Sequence, residues 1–464
     1  MTREGASPLT PRQFHGHHLE STSVSAERRL LIVLLCAPLL GFIGVVAADL
    51  VPSTRIADHL IDAERAGILE YTSDSGPTPL GTEASTYTEC TVFSLGLADV
   101  PGEDFVANAM LGTAYTGCQR LGAALNEYAA NGELPSGYSY LRYWHGYSIL
   151  TRPGLGLVGV AGTRWLSFAF MAVAVGGMCA AVRRSFGIAP AVLLIAPTLL
   201  TTDVVIGSLS VSSAIGTGSA WVAGWLSFVL VKDRPAWRWA ALVAVLAGAI
   251  TAYLDLMTTM PGSFALTVAG ATLGAMAAGV SRAKDGLWRV SAAAAGGWAV
   301  GLAGMWASKW LIASLAVGPA TVMDAVTEAI EFRLSSGTHG VTDSRVRGLT
   351  INVEQWWDQP LTPWVVFGML AAVAVGTIRW RRSNGDIGST AVCCAIVVVP
   401  VVSWYLALNN HSQIHPQLVY RSLPIAFGAV AALVVAASRG PVDDATGVRE
   451  ARSDMLVADG HSAR

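Results

Sequence analysis

Leu30–Ala48 reads LLIVLLCAPLLGFIGVVAA, nineteen residues without a charge. At 1.5 Å of rise per residue, a helix needs about 20 mostly apolar residues to cross a bilayer. The run is longer than the apolar part of a secretory signal, about 7–15 residues, and no small-residue cleavage site follows it. A mostly polar stretch, residues 1–28, precedes it. The segment therefore reads as a retained membrane helix.

The pattern recurs along the chain. Apolar stretches near 30–48, 160–181, 188–207, 213–231, 237–256, 262–280, 289–313, 362–378, 388–407 and 418–437 predict about ten spans. Composition agrees. Of 464 residues, 53% are hydrophobic and 13% charged, against about 25% charged in soluble domains. Mean hydropathy is +0.49. A net charge of −2 leaves no basic surface for nucleic acid, and six cysteines do not make a disulfide scaffold. The expected fold is an all-α polytopic membrane protein of about ten transmembrane helices with a large extracytoplasmic first loop. Residues 1–28 (with His15, His17 and His18) and 438–464 lack hydrophobic periodicity and are expected as disordered cytoplasmic tails around a membrane domain, 29–437.

Lys and Arg set the orientation. Arg28 and Arg29, Arg183 and Arg184, Lys232 to Arg238, Arg282 to Arg289, and Arg379 to Arg382 mark one side. The short connections near 208–212, 257–261 and 408–417 carry neither residue. Both termini are thus expected in the cytoplasm of a cell-membrane protein. Two long loops, 49–160 and 315–363, fall outside. The first is too long to be structureless, and its segment 105–130 has apolar residues at helical spacing. Cys90 and Cys118 share this loop on the oxidising side, where a disulfide is open to them. Cys36, Cys179, Cys393 and Cys394 fall in helices as packing residues.

Polar chemistry gathers at the outer ends of the spans. RYWHGY places Arg142, Trp144 and His145 before the second span. Asp49 ends the first, and Arg164 opens the apolar part of the second. Asp203 lies in the third, Asp255 at the end of the fifth, and Lys309 near the end of the seventh. NNHSQIHPQLVYRS supplies His411, His415 and Arg421. Taken singly, each has a structural reading: cations snorkel to headgroups, and Trp144, Trp306, Trp310, Trp356 and Trp357 suit an interfacial aromatic belt. A belt does not account for carboxylates, histidines and guanidiniums on one side only. Nucleotide-loop, serine-elbow and zinc-helix motifs are absent from the sequence. His411 and His415 have the i, i+4 spacing of a metal pair, but Pro416 and two asparagines favour a turn. No cofactor is required, and a divalent metal is left open.

An outward-facing enzyme without a nucleotide site needs a substrate already activated outside, such as a polyprenyl-phosphate-linked sugar. A carboxylate would take the acceptor proton, cations would hold the departing phosphate, and aromatic faces would stack on sugar. The long first outer loop, the acid at the exit of helix 1 and Arg164 in GTRWLSF resemble the GT-C class of glycosyltransferases. The second acid of that class's paired signature is replaced by Leu50. RYWHGY, YLDLMTT, MWASKW and HSQIHPQLVYR also resemble a group of bacterial polytopic membrane proteins without assigned activity. The GT-C resemblance implies Asp49 as base, with Asp255 or Glu89 as alternatives. Arg142, Lys309, His415 and Arg421 would hold phosphate, with Arg164 and His411 as further substrate-binding residues. His145 would orient the acceptor or donate to the leaving oxygen, and Trp144, Trp356 and Trp357 would stack on sugar. The implied partners are the bilayer, the lipid-linked sugar and an envelope glycan or glycoprotein acceptor. A transporter or flippase, and a non-catalytic envelope assembly protein, are the competing readings.

Overall fold

The computed structural model describes residues 17–69, 75–77, 83–202, 204, 210–255, 257–280, 286–334, 341–344, 346–382 and 387–439. Residues 1–16, which include His15, residues 440–464 and Asp203 lie outside them.

The protein is an all-α polytopic membrane protein. Eight described helices are long and apolar enough to cross a membrane: Ser148–Phe186, Val211–Asp233, Trp237–Leu254, Met260–Ala277, Gly286–Val317, Thr362–Arg381, Gly388–Ala407 and Pro416–Arg439. Leu34–Asp49 and Ser53–Arg65 add a ninth if that pair, bent by 67°, is one span. Strands among the described residues are two short antiparallel ladders, Ser75–Pro77 with Glu83–Ser85 and Thr113–Ala114 with Tyr138–Ser139.

Several boundaries differ from expectation. The first helix runs His17–Asp49, so residues 17–28 of the expected tail are helical. HHLESTSVSAERR contains neither proline nor glycine, and a helix nucleated in the apolar run propagates through it. The described helix of the expected span 188–207 is Ile188–Thr201, fourteen residues. That is about 21 Å, short of a hydrocarbon core of about 30 Å. The expected helical stretch 105–130 is two helices, Phe105–Leu111 and Cys118–Asn131. Gly112 separates them at φ 54°, and a Cβ there would lie 2.6 Å from His145 Nε2. The helix Ser148–Phe186 breaks at Gly159 (φ 66°, ψ −170°), so the straight span begins near residue 160 as expected.

Glycines set how closely the helices pack. A Cβ on Gly297 or Gly301 would lie 2.2 or 1.9 Å from the carbonyl oxygens of Ala241 or Val245. A Cβ on Gly270 or Gly274 would lie 2.2 or 2.4 Å from those of Gly224 or Phe228. Lipid is as apolar as leucine, so close backbone contact between small residues is what drives such helices together.

The long first loop folds against the end of this bundle. Ile56, Leu60, Phe93, Leu121 and Leu125 form a core continuous with Tyr147, Leu155, Val211 and Ile215. Cys90 and Cys118 are joined by a disulfide. The second long loop contributes helices Pro319–Leu334 and Arg347–Trp357 to the same end.

Candidate functional site

RYWHGY divides into anchors and lining. Trp144 is fully buried, and its Nε1 donates to the Met305 carbonyl at 2.6 Å. Gly146 N donates to the Tyr253 carbonyl at 2.8 Å, and a Cβ at Gly146 would sit 2.3 Å from the Tyr253 ring. His145 is buried with φ 41°, and its Nε2 lies 3.4 Å from Lys309 Nζ. Burial, then the Lys309 charge, hold His145 well below its usual range, so it is neutral. Lys309 is fully buried and donates to the Met110 carbonyl at 2.7 Å. These groups lock the segment to helices Trp237–Leu254 and Gly286–Val317.

That lock directs Arg142 and Tyr143 into two cavities. One, of about 350 Å³, is the more polar of the two; Tyr87, Thr91, Tyr138, Tyr140, His411 and His415 are among its walls. The other, also about 350 Å³, is apolar, walled by Trp306, Trp310, Ile330, Trp404 and Leu408. Arg142 and Tyr143 line both. The Arg142 guanidinium carbon lies 5.0, 5.5 and 5.9 Å from the ring centres of Tyr140, Tyr143 and Tyr138. Against burial, which lowers it, Tyr143 and Tyr140 push the guanidinium pKa up, so Arg142 stays charged. Arg333 lies 5.4 Å from the Tyr143 ring centre and donates Nη2 to the Tyr143 hydroxyl. Among the described residues neither guanidinium pairs with a carboxylate.

His411 and His415 face these cations. Their rings meet edge-on at 5.1 Å, and His411 Nε2 lies 3.2 Å from the Met257 carbonyl. Burial, then His415 and Arg333, hold His411 at about 3. Burial, then Arg333 and Arg142, hold His415 at about 4. Both imidazoles are therefore neutral near pH 7. No group of three or more His, Cys, Asp or Glu able to hold a metal occurs among the described residues.

Of the residues singled out in the sequence, Arg142, His411 and His415 meet in the polar cavity. Trp306 and Trp310 line the apolar cavity, and the other described ones lie outside both. Asp49 pairs with Arg152 at 3.4 Å. Arg152 also donates to the carbonyls of Ala48, Leu95, Gly96 and Val51. Glu89 is 1% exposed and receives Arg164 at 3.1 and 2.7 Å and the Val211 amide at 2.9 Å. Asp255 caps the next turn, accepting from Thr258 N and Oγ1 and from Thr259 N. Burial raises its carboxyl, against those hydrogen bonds. Arg421 is buried and donates to Ser213 Oγ at 3.1 Å. Trp356 is buried, stacked on Phe427 and bonded to Thr201 Oγ1 at 2.8 Å, while Trp357 is exposed.

Sequence reasoning missed Arg152, Arg333 and Glu328. Glu328 is the one carboxylate among the described walls of the polar cavity, and its Oε1 lies 3.4 Å from Tyr138 Oη. The signal available was the helical spacing of Glu328, Phe332 and Arg333 within the second long loop. Their convergence on RYWHGY is tertiary. Comparison of the chain with protein-family models, characterised proteins and solved structures found no match.

Proposed function

We propose that this protein takes a lipid-phosphate-linked sugar at the extracytoplasmic face and transfers the sugar to an envelope acceptor, as the GT-C resemblance implies. The observation that carries the reading is the shared wall: Arg142 and Tyr143 separate a polar cavity from an apolar one of equal volume. Such a pair suits an amphipathic anion. The lipid chain lies along Trp306, Trp310 and Trp404, the phosphate at Arg142 and Arg333, and the sugar among the tyrosines and threonines. The chain is set with both termini in the cytoplasm by its Lys/Arg bias.

In the transfer step Glu328 accepts the proton of the acceptor hydroxyl. The acceptor oxygen forms the new bond to the sugar carbon. The bond from that carbon to the phosphate oxygen breaks, and the phosphate leaves with the electron pair, held by the two guanidiniums. Glu328 takes the place given to Asp49 in the sequence reading because Asp49 is engaged by Arg152 and lines neither large cavity.

The test is a deletion strain complemented with wild type or Arg142→Ala. A lipid-linked sugar should accumulate while one sugar disappears from the envelope, with wild type alone restoring both. Unchanged glycans and donors would defeat the transferase reading and move a transporter to first place.

A further inference from the structure

His415 lines the polar cavity, and no described residue hydrogen-bonds its ring. Its neighbour His411 turns Nε2 to the Met257 carbonyl. A carbonyl only accepts, so Nε2 carries the proton and Nδ1 keeps a lone pair. Met257 holds φ 66°, a strained conformation for a side-chain-bearing residue, and the same loop carries Thr258 into the cavity wall. The two rings thus face two guanidiniums with no carboxylate partner. As they stand they are poor donors to an anion, yet they occupy the wall where an anion would sit.

From this arrangement we infer that the phosphate group binds together with one proton, which the His411–His415 pair takes up and through which it donates to a phosphate oxygen. This rests on the proposed lipid-phosphate reading and adds to it what the site selects: an oxyanion that offsets part of the charge of Arg142 and Arg333 and arrives with a proton. Burial is the larger cause of the rings' neutrality and repulsion from Arg333 and Arg142 the smaller. The bound anion offsets the repulsion and, by accepting a hydrogen bond from the pair, offsets part of the cost of a buried charge. The other groups facing the pair are Arg120 from the helix Cys118–Asn131, Glu328 from Pro319–Leu334, and Tyr87, Tyr138, Tyr140 and Tyr143. Asp255 acts behind Thr258. Burial pushes the Tyr140 hydroxyl up. His411 and His415 are the imidazoles of the wall that the anion would share.

The experiment uses the full chain in phosphatidylcholine nanodiscs with farnesyl methyl phosphate. This diester keeps one charge throughout, so the probe itself does not titrate. Calorimetry from pH 5 to 8, in two buffers of different ionisation enthalpy, reads affinity and proton uptake together. Affinity should rise by up to about tenfold per pH unit, with one proton taken up, as pH falls from about 6.5 towards 5. His415→Gln should lose most of the slope. The His411→Gln/His415→Gln double variant should be flat. Binding that is equally tight at every pH, without proton uptake, would overturn this inference and leave the lipid-phosphate reading standing. Absence of binding by wild type at any pH would overturn both.

Discussion

Arg142 and Arg333 approach the same ring: their guanidinium carbons lie 5.5 and 5.4 Å from the centre of Tyr143. One guanidinium comes from the loop before the long helix Ser148–Phe186, the other from the helix Pro319–Leu334. Tyr143 is thus the spacer that holds two like charges at one place. Arg142→Ala and Arg333→Ala should each weaken binding of a lipid phosphate by about 10- to 100-fold, the loss of a charge-assisted hydrogen bond worth about 1.5–3 kcal/mol. Tyr143→Leu, which keeps both charges, should weaken it as well. Titration of each variant with farnesyl phosphate checks this, and wild-type affinity in Arg333→Ala would remove Arg333 from the site.

Glu328 and Asp49 are separable by substitution. Glu328→Gln should abolish sugar transfer while lipid-phosphate binding persists. Asp49→Asn should retain transfer, because Arg152 keeps its four carbonyl partners. A transfer assay with both variants decides. Loss in Asp49→Asn with full activity in Glu328→Gln would restore Asp49 as the base.

The Glu89–Arg164 pair is expected to act on stability. Glu89→Gln weakens the partner of the half-buried Arg164, and the cost should fall below the about 3–5 kcal/mol of breaking a fully buried pair. Thermal unfolding in detergent should show a clearly lowered Tm. An unchanged Tm would mean that the pair is not structural.

Stability should also depend on pH through His411 and His415. Their folded values, about 3 and about 4, lie below the unfolded value near 6.5. Between these limits the unfolded chain binds more protons. Their contribution is therefore fully present above about pH 6.5 and is lost as pH falls towards 4. The Tm of ligand-free protein should drop over that window, and the drop should shrink in His411→Gln/His415→Gln. Equal slopes in the two proteins would assign the acid sensitivity to other groups.

The Cys90–Cys118 disulfide closes a loop of 28 residues. Replacing both cysteines with serine should cost about 3 kcal/mol through the freed unfolded chain. Reductant should lower the Tm of wild type and leave the double variant unmoved. Insensitivity of wild type to reductant would show that the bond does not contribute.

A helical membrane protein is already legible in the order of the amino acids. Apolar runs near 20 residues answer to bilayer thickness, a one-dimensional constraint that each segment meets alone. The same order also singled out Arg142, His411 and His415, because polar groups beside membrane spans are costly and stand out. Breaks at Gly112 and Gly159 were not legible, since a positive φ leaves no mark on apolar spacing. Nor was the division of RYWHGY, where Trp144, His145 and Gly146 anchor and Arg142 and Tyr143 line the cavities. The partners of Asp49, Glu89 and Asp255 likewise came only with the tertiary structure. A carboxylate reads the same in sequence whether a guanidinium, a helix turn or solvent receives it. Which of these it meets depends on helices brought together by glycine contacts between residues far apart in the chain.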